Sequence, residues 1–220
     1  MSELAHPHLR ADAQRNLERL LAAAAELFRT RGLDVSMEDI AHEAGVGVGT
    51  LYRRFRNRDE LIDALFESRL AEFAEVVREC AAIPDGWTGL VALLERTLAM
   101  QAADRGLKHL FHSHNKLHVA VTEVRDLFLD ELQQIMSRAQ ATGDLRPDVA
   151  PMDVALLSFQ VGAVADLTAD QDPDAWRRAL AIALDGLRPG HEGKLPTGPI
   201  DKDSFEVALE CWRPPAVPAG

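Results

Sequence analysis

Cysteine is nearly absent from this chain of 220 residues, which contains only Cys80 and Cys211. The two lie far apart and neither belongs to a CxxC pair, so the sequence has no zinc-site spacing and no disulfide framework. We expect both thiols to be reduced, and a redox switch is the less favoured alternative.

Long apolar runs are missing as well. The most apolar stretch, residues 154–165, is too short to span a bilayer. The first residues lack the basic region, apolar stretch and cleavage site of a secretion signal. The sequence therefore predicts a cytoplasmic protein without a membrane partner.

Motifs of catalysis are also missing. There is no GxSxG, HExxH or P-loop, and no pair of carboxylates stands out in an apolar setting. Residues 45–50, GVGVGT, are glycine-rich but lack the GK[ST] ending of a phosphate-binding loop and follow no predicted strand. We therefore expect a protein that is not an enzyme, with no catalytic residues, no metal site and no cofactor.

Charge is abundant but unevenly distributed, and the net charge is −11. Residues 1–60 hold nine arginines and ten acids, whereas residues 61–220 hold fifteen basic and twenty-five acidic residues. Within the first part, residues 53–58 contain four arginines and no acid. Such a run is usually a solvated surface, and a patch that binds nucleic acid is the alternative.

The residues before this arginine run carry the start and stop signals of two short helices. Ser36 and Asp39 have the spacing of a capping box, and Gly45 can take the left-handed conformation that ends a helix. Leu51 and Phe55 then form an apolar i, i+4 pair that can face the first helix. Together these features predict a helix-turn-helix motif whose second helix enters the major groove of double-stranded DNA.

The second helix and its flanks are the predicted DNA contacts. The hydroxyls of Thr50 and Tyr52 can bond phosphate oxygens, and the guanidinium groups of Arg53 and Arg54 can bind phosphate or a guanine edge. Arg58 falls in a first helical turn, where free amides also favour an anion. The full predicted set is Ser36, Gly47, Val48, Gly49, Thr50, Tyr52, Arg53, Arg54 and Arg58.

Residues 40–61, IAHEAGVGVGTLYRRFRNRDEL, resemble the signature of the TetR (tetracycline-repressor-like) family, IAxxAGVSxGTLYxHFxxKxxL. The resemblance covers about the first 65 residues. It departs at Gly47, where the family usually has Ser or Thr, at Val48, which replaces an often basic or polar residue, and at Arg58, where Lys is frequent. Glycine caps a helix only a few tenths of a kcal/mol less well, and Val48 can contact a thymine methyl.

The resemblance implies an all-α fold, with an N-terminal three-helix helix-turn-helix domain and a larger C-terminal helical regulatory and dimerisation domain. It also implies a DNA-binding transcriptional regulator, a repressor that binds a palindromic operator as a homodimer and is released by a small-molecule effector. An activator, or a DNA-associated adaptor without an effector, is the alternative. An empty cavity in the helical domain would favour the regulator.

Taken together with the resemblance, helical periodicity divides the chain into a flexible arm at residues 1–14, the helix-turn-helix domain at 15–57 and, at 58–220, the domain for which the resemblance implies effector binding and dimerisation. The first long helix should end at Gly32, and the chain should turn around Gly106. Further helices are predicted at residues 58–83, 87–103, 107–117, 122–141, from Pro151, after a cap at Asp172 and Pro173, and at 204–212.

The helix after Pro151 is apolar nearly all round and so needs a cover on every side. We expect this helix and the next to form a four-helix seam with their symmetry mates, with ordinary core packing as the alternative. The predicted dimer contacts are Leu156, Phe159, Gly162, Ala163, Trp176, Leu180 and Leu184.

The resemblance also implies an effector pocket within the helical domain. The candidate lining residues, each of which could equally be plain core, are Trp87, Met100, His109, Phe111, His112, Phe159 and Gln160. His109, His112, His114 and His118 form a local cluster without neighbouring carboxylates, and a surface or packing role is favoured over a metal site.

Overall fold

The structure is a computed structural model that describes residues 6–31, 35–112, 119–190 and 193–211. These ranges contain helices and no strand, which confirms the all-α prediction. In chain order the helices are α1 His6–Arg31, α2 Met37–Glu43, α3 Val48–Arg54, α4 Arg58–Ala81, α5 Gly86–Ala103, α6 Arg105–His112, α7 Val119–Thr142, α8 Pro151–Thr168, α9 Ala175–Leu187 and α10 Lys202–Cys211.

Helices α1 to α3 form a small head whose local signals act as the sequence predicts. The amide of Asp39 donates to Ser36 Oγ at 3.0 Å, and the amide of Ser36 donates to the Asp39 carboxylate at 3.4 Å. Gly45 has a φ of +63°, the left-handed conformation that turns the chain after α2. Leu51 of α3 is fully buried, so the second helix packs its apolar side against the first.

Helix α1 begins earlier than predicted. It includes residues 6–14, which the sequence assigns to a flexible arm. This difference has a physical reason, because residues 8–14 contain no glycine and Pro7 occupies the first turn, where proline costs no hydrogen bond. Residues 1–5 and the predicted stop at Gly32 lie outside the described residues.

Helix α4 leaves the head and runs into a helical body. The amide of Glu60 donates to Asn57 Oδ1 at 2.9 Å, which caps the start of α4. Within the body α4, α5 and α7 pack against one another. The first residue of α5, Gly86, lies against the backbone of α7, and a Cβ at this position would be 2.3 Å from the amide nitrogen of Ala139. Only glycine allows this approach.

Two predicted boundaries in the body need correction. The chain turns at Asp104 instead of Gly106, because the Asp104 carboxylate accepts from the amide of Leu107 at 3.0 Å and starts α6 one residue later. Helix α9 begins at Ala175, with Asp174 at the N-cap in place of Asp172 and Pro173. Part of the predicted segment 107–117 falls on residues 113–118, outside the described residues, and α7 is described from Val119, three residues before the predicted start at 122.

Asp148 holds the loop between α7 and α8 against residues 193–195. Its carboxylate accepts from Arg146 Nε at 2.6 Å and Nη2 at 2.9 Å, and from the amide of Leu195 at 3.0 Å. These donors, Arg146 above all, lower the pKa of Asp148 to about 2. Because the folded pKa lies below the unfolded one, the stabilisation is complete at neutral pH and is lost as the pH falls toward 2.

We therefore expect Asp148→Asn to lower the thermal unfolding midpoint at pH 6, and the difference from the parent protein to narrow by pH 3. Circular dichroism melts at the two pH values measure this. Asp170→Asn, which changes an exposed carboxylate, is the control. A difference for Asp148→Asn that is as large at pH 3 as at pH 6 would contradict the prediction.

Candidate nucleic-acid interface and internal cavity

Helix α3 exposes the side of the head that the sequence predicts as the reading surface. Tyr52 is 45% exposed and Val48 38%, and Arg53 and Arg54 are exposed as well. Arg53 Nη2 donates to Thr50 Oγ1 at 3.2 Å, which holds the guanidinium beside the Thr50 hydroxyl. A phosphate or base edge brought to α3 would meet both groups together.

The remaining predicted contacts flank this surface. Gly47 and Gly49 are exposed at the start of α3, and no atom lies within 4 Å of a Cβ built at Gly49. Ser36 is half-buried, and its hydroxyl caps α2. Arg58 is half-buried, and its guanidinium lies 6.0 Å from the centre of the Phe28 ring. The structure therefore presents the α3 residues openly and holds Ser36 and Arg58 at the edges.

Arg19 of α1 is a neighbour of this surface that the sequence reading missed. Its Nη1 is 4.0 Å from a Cβ built at Gly45, so the exposed side chain reaches the turn between α2 and α3. The positive charge of the head therefore extends beyond the arginine run. Arg19 lies four residues after the exposed Arg15, on the same face of α1, and this spacing in the sequence could have indicated a basic surface there.

The helical body contains a cavity of about 100 Å³ that is partly open to solvent. Its lining residues are Phe73, Thr97, Gln101, Phe111, Arg125, Phe128, Leu129, Ala155, Ser158, Phe159 and Phe205. Two of the seven predicted pocket residues, Phe111 and Phe159, are among them.

The other predicted pocket residues lie elsewhere or cannot be placed. Trp87, the second residue of α5, lies under the guanidinium of Arg188, whose central carbon is 4.1 Å from the centre of the Trp87 ring. Met100 packs against the core without lining the cavity, and Gln160 is exposed. The side chains of His109 and His112, and the rest of the predicted histidine cluster, are outside the described residues.

The polar side chains of the cavity differ in their hydrogen-bond partners. The hydroxyl of Thr97 donates to the carbonyl of Leu93 at 2.6 Å, and that of Ser158 donates to the carbonyl of Val154 at 3.0 Å. Both hydroxyls thus bond within their own helices and have lone pairs to spare. Arg125, which is half-buried, is the ionised residue of the lining.

Arg125 is held in place by α6. Its Nη2 donates to the carbonyl of Phe111 at 2.5 Å. Burial lowers the pKa of Arg125, while the charges of Glu206 and Asp126 act in the opposite direction. An arginine keeps its proton in such an environment. The cavity therefore contains a cation that is poorly solvated.

Several of the predicted dimer contacts are buried inside the protomer. Trp176, Leu180 and Leu184 are at most 8% exposed, because this stripe of α9 packs on the protomer's own core. Gly162 is buried too, and its carbonyl accepts from Lys108 Nζ at 2.5 Å. Burial within the protomer leaves these four residues little surface for a partner contact. Phe159, predicted for both sites, lies at the cavity edge.

Other apolar residues of α8 and α9 are exposed. Leu156 is 36% exposed, Leu167 is 81% exposed and Ile182 is 65% exposed, and Ala163 is exposed between the first two. Leu156, Ala163 and Leu167 have the i, i+7, i+11 spacing of one helix face. The helix after Pro151 is thus uncovered along one side.

Neither a metal group nor a membrane span is found in the described part of the chain. No three histidine, cysteine, aspartate or glutamate side chains there come together in a group that could hold a metal ion. Among the same residues, no helix is both long enough and apolar enough to cross a bilayer.

Comparisons with known proteins agree with this architecture. Residues 20–65 match the model of bacterial regulatory proteins of the tetR family, and residues 85–189 match the C-terminal domain of SbtR-like transcriptional regulators. The chain is similar to the HTH-type transcriptional regulator UidR of Escherichia coli (strain K12), with 27% identity over 177 residues, 74% of this chain and 87% of UidR.

Solved structures give the same result. The TetR transcriptional regulator SCO0520 from Streptomyces coelicolor is 30% identical, with a TM-score of 0.50, over 80% of this chain and 99% of that one. The regulator FadR from Bacillus subtilis, solved in complex with stearoyl-CoA, has the same fold at 19% identity, with a TM-score of 0.61, over 80% of this chain and 99% of FadR. This chain belongs to the TetR family and is a DNA-binding transcriptional regulator.

Proposed function

We propose that this regulator is a repressor that binds a palindromic operator as a homodimer and leaves it when a small molecule occupies the cavity. For this function we divide the chain into a DNA-binding domain that ends at residue 57 and an effector-binding and dimerisation domain at 58–220. The main support for this function is that α4 begins at the head and also lines the cavity through Phe73.

Two helices connect the cavity to the head. Helix α4 follows α3 after three residues, so a tilt of α4 moves the reading surface. Helix α6 lines the cavity through Phe111 and lies against the head at Gly106, where a Cβ would be 2.9 Å from Phe66 and 3.2 Å from Phe28. A ligand that displaces Phe73 or Phe111 therefore acts on the head through packed helices.

The DNA contacts follow from the exposed surface of α3. Tyr52, Arg53 and Arg54 would enter the major groove, and Val48 can contact a thymine methyl. Arg58 and Arg19 would bind backbone phosphates on either side. The net charge of −11 repels DNA at long range, so affinity depends on this local patch and falls steeply with salt.

The presence of a cavity favours a regulator with an effector over an adaptor. Five phenylalanines reach the same space of about 100 Å³ without filling it. An adaptor has no need of such a space, and filling it with larger side chains would stabilise the body. Unfilled volume lined by a few polar groups is typical of ligand sites.

Selection of bound duplexes from a random library tests the proposed DNA binding. We expect a palindrome whose half-sites are about one helical turn apart or somewhat more, bound by two protomers. Affinity for the selected duplex should decrease linearly with salt on logarithmic axes. Failure to enrich any duplex, or binding of a single protomer to a site without symmetry, would overturn the proposal.

The exposed residues of α8 and α9 are the proposed partner contact. Replacing Leu167 with Glu places a charge where two apolar faces would meet, and we expect a folded monomer whose operator affinity falls at least about tenfold. Static light scattering gives the mass, and a gel shift gives the affinity. Ile182→Arg should act in the same way.

Val207→Glu is the matched control for this experiment. It changes a residue of α10, outside the proposed contact residues of α8 and α9, that is also apolar and 58% exposed. This variant should keep the mass of two chains. A dimer that persists in both Leu167→Glu and Ile182→Arg would place the partner contact on another surface.

A further inference from the structure

The cavity collects most of the phenylalanine of a chain that has little aromatic content. Only 5% of the residues are aromatic, and eight are phenylalanine. Five of those eight line the cavity, each from a different helix: Phe73 of α4, Phe111 of α6, Phe128 of α7, Phe159 of α8 and Phe205 of α10.

The rings are arranged around the space at angles to one another. The centres of Phe73 and Phe111 are 4.5 Å apart with the planes tilted by 37°, and Phe73 is 6.3 Å from Phe128. Phe159 and Phe205 meet edge to face at 5.6 Å. Walls of this kind offer both ring faces and ring edges, which suit another aromatic ring better than a flexible chain.

The size of the space sets the number of rings. A cavity of about 150 Å³ in a protein core can hold one benzene molecule. The cavity here is about 100 Å³, so small movements of its phenylalanines make room for one ring with a short substituent.

The charge of the lining determines the substituent. Arg125 brings a guanidinium to a wall whose other polar side chains are those of Thr97, Gln101 and Ser158. Planar guanidinium groups bind carboxylates with two parallel hydrogen bonds, and the interaction is stronger where water is scarce. The same positive charge repels the organic cations that aromatic walls otherwise bind.

We propose that the cavity binds a compound with one aromatic ring and one carboxylate, with the ring among the phenylalanines and the carboxylate on Arg125. This assignment takes the effector site of the proposed function and names the class of its ligand. Phe205 and Arg125 then enclose the ligand from α10 and α7. The ion pair of Lys202 with Asp126, at 2.7 Å, holds α10 against α7 at that point.

Isothermal titration calorimetry of the full chain without DNA tests the ligand class directly. The probes are benzoate and phenylacetate, with benzamide as a neutral match and benzyltrimethylammonium as a cation. We expect at least one of the two carboxylates to bind at least tenfold more tightly than benzamide, and the cation not to bind. Equal affinity for the carboxylates and benzamide, or no binding of either carboxylate, would overturn the proposal.

Variants separate the role of Arg125 from general packing. Arg125→Gln should weaken binding of the carboxylate about 10- to 100-fold and leave benzamide unchanged, and Arg125→Lys should recover part of the loss. Arg78→Gln, an exposed arginine of α4, is the control and should have no effect. An Arg125→Gln protein that is folded and binds the carboxylate as the parent does would contradict the assignment.

A second variant, which fills the cavity, tests the placement of the ligand even if Arg125→Gln does not fold. Ser158→Phe occupies the space from α8 and should abolish binding of both benzoate and phenylacetate, while Arg78→Gln should not. Carboxylate binding that survives Ser158→Phe would place the ligand elsewhere and overturn the proposal. Because no DNA is present, these results do not depend on operator binding. A gel shift with benzoate or phenylacetate then tests release from the operator separately.

Discussion

Gly86→Ala is expected to lower the thermal unfolding midpoint by roughly 6 to 12 °C. The added Cβ would lie 2.3 Å from the backbone nitrogen of Ala139 and 2.8 Å from its Cα. Because these are backbone atoms of α7, the strain cannot be relieved by rotating a side chain, and α5 and α7 must separate. Overpacking of this kind costs about 3 kcal/mol, and each kcal/mol shifts the midpoint of a chain of this size by about 2 to 4 °C.

Gly49→Ala is the matched control for this measurement. It adds the same methyl group to the first turn of α3, where nothing lies within 4 Å. Alanine is favoured over glycine in a helix by up to about 1 kcal/mol, so the midpoint should stay constant or rise slightly. Differential scanning calorimetry without DNA compares the two. Equal midpoints for both variants would show that α5 and α7 are not in close contact at Gly86.

Tyr52→Ala and Arg53→Ala are each expected to weaken operator binding by roughly 1 to 3 kcal/mol, or about 5- to 150-fold. Both side chains are exposed on α3 and contribute nothing to the core, so the fold should be intact. Arg53 carries a charge and Tyr52 does not. If Arg53 binds a phosphate, its loss should also reduce the slope of log affinity against log salt concentration by about one. That slope should be unchanged for Tyr52→Ala.

Fluorescence anisotropy with the selected duplex at several salt concentrations measures both quantities. Arg78→Ala removes the same charge about 30 Å along α4 from Arg58, given a rise of about 1.5 Å per residue, and should leave the operator affinity nearly unchanged. Titrations of Tyr52→Ala and Arg53→Ala that match the parent protein would remove α3 as the reading helix. A loss of affinity in Arg78→Ala as large as in Arg53→Ala would indicate nonspecific electrostatic attraction.

The head could be predicted from sequence because its determinants are local. The cap of α2 depends on Ser36 and Asp39, three positions apart, and the turn depends on the left-handed conformation of Gly45. Such interactions are complete within a few residues. The arm predicted over residues 1–14 is helical from His6 onward, since helix propensity there was given too little weight.

The helical body was harder to predict because its partners are distant in sequence. Periodicity identified the apolar stripe of Trp176, Leu180 and Leu184 but could not tell whether a second protomer or the protomer's own core covers it. The cavity posed the same problem, since Phe73 and Phe205 are far apart in the chain. The sequence did contain one signal of the cavity. Arg125 shares a face of α7 with Val121, Phe128 and Leu132, so a charged residue stands in an otherwise apolar row.

Helix α6 has only eight residues, yet it joins three parts of the molecule. Asp104 before it pairs with Arg69 of α4, Lys108 within it binds Asp166 of α8 at 2.5 Å, and its Phe111 lines the cavity. Thermodynamic linkage makes any coupling between the cavity and the DNA-binding surface through α6 reciprocal. If an occupied cavity lowers the affinity for the operator by some factor, a bound operator lowers the affinity for the ligand by the same factor. Operator-bound copies of the protein would therefore respond to higher ligand concentrations than free copies.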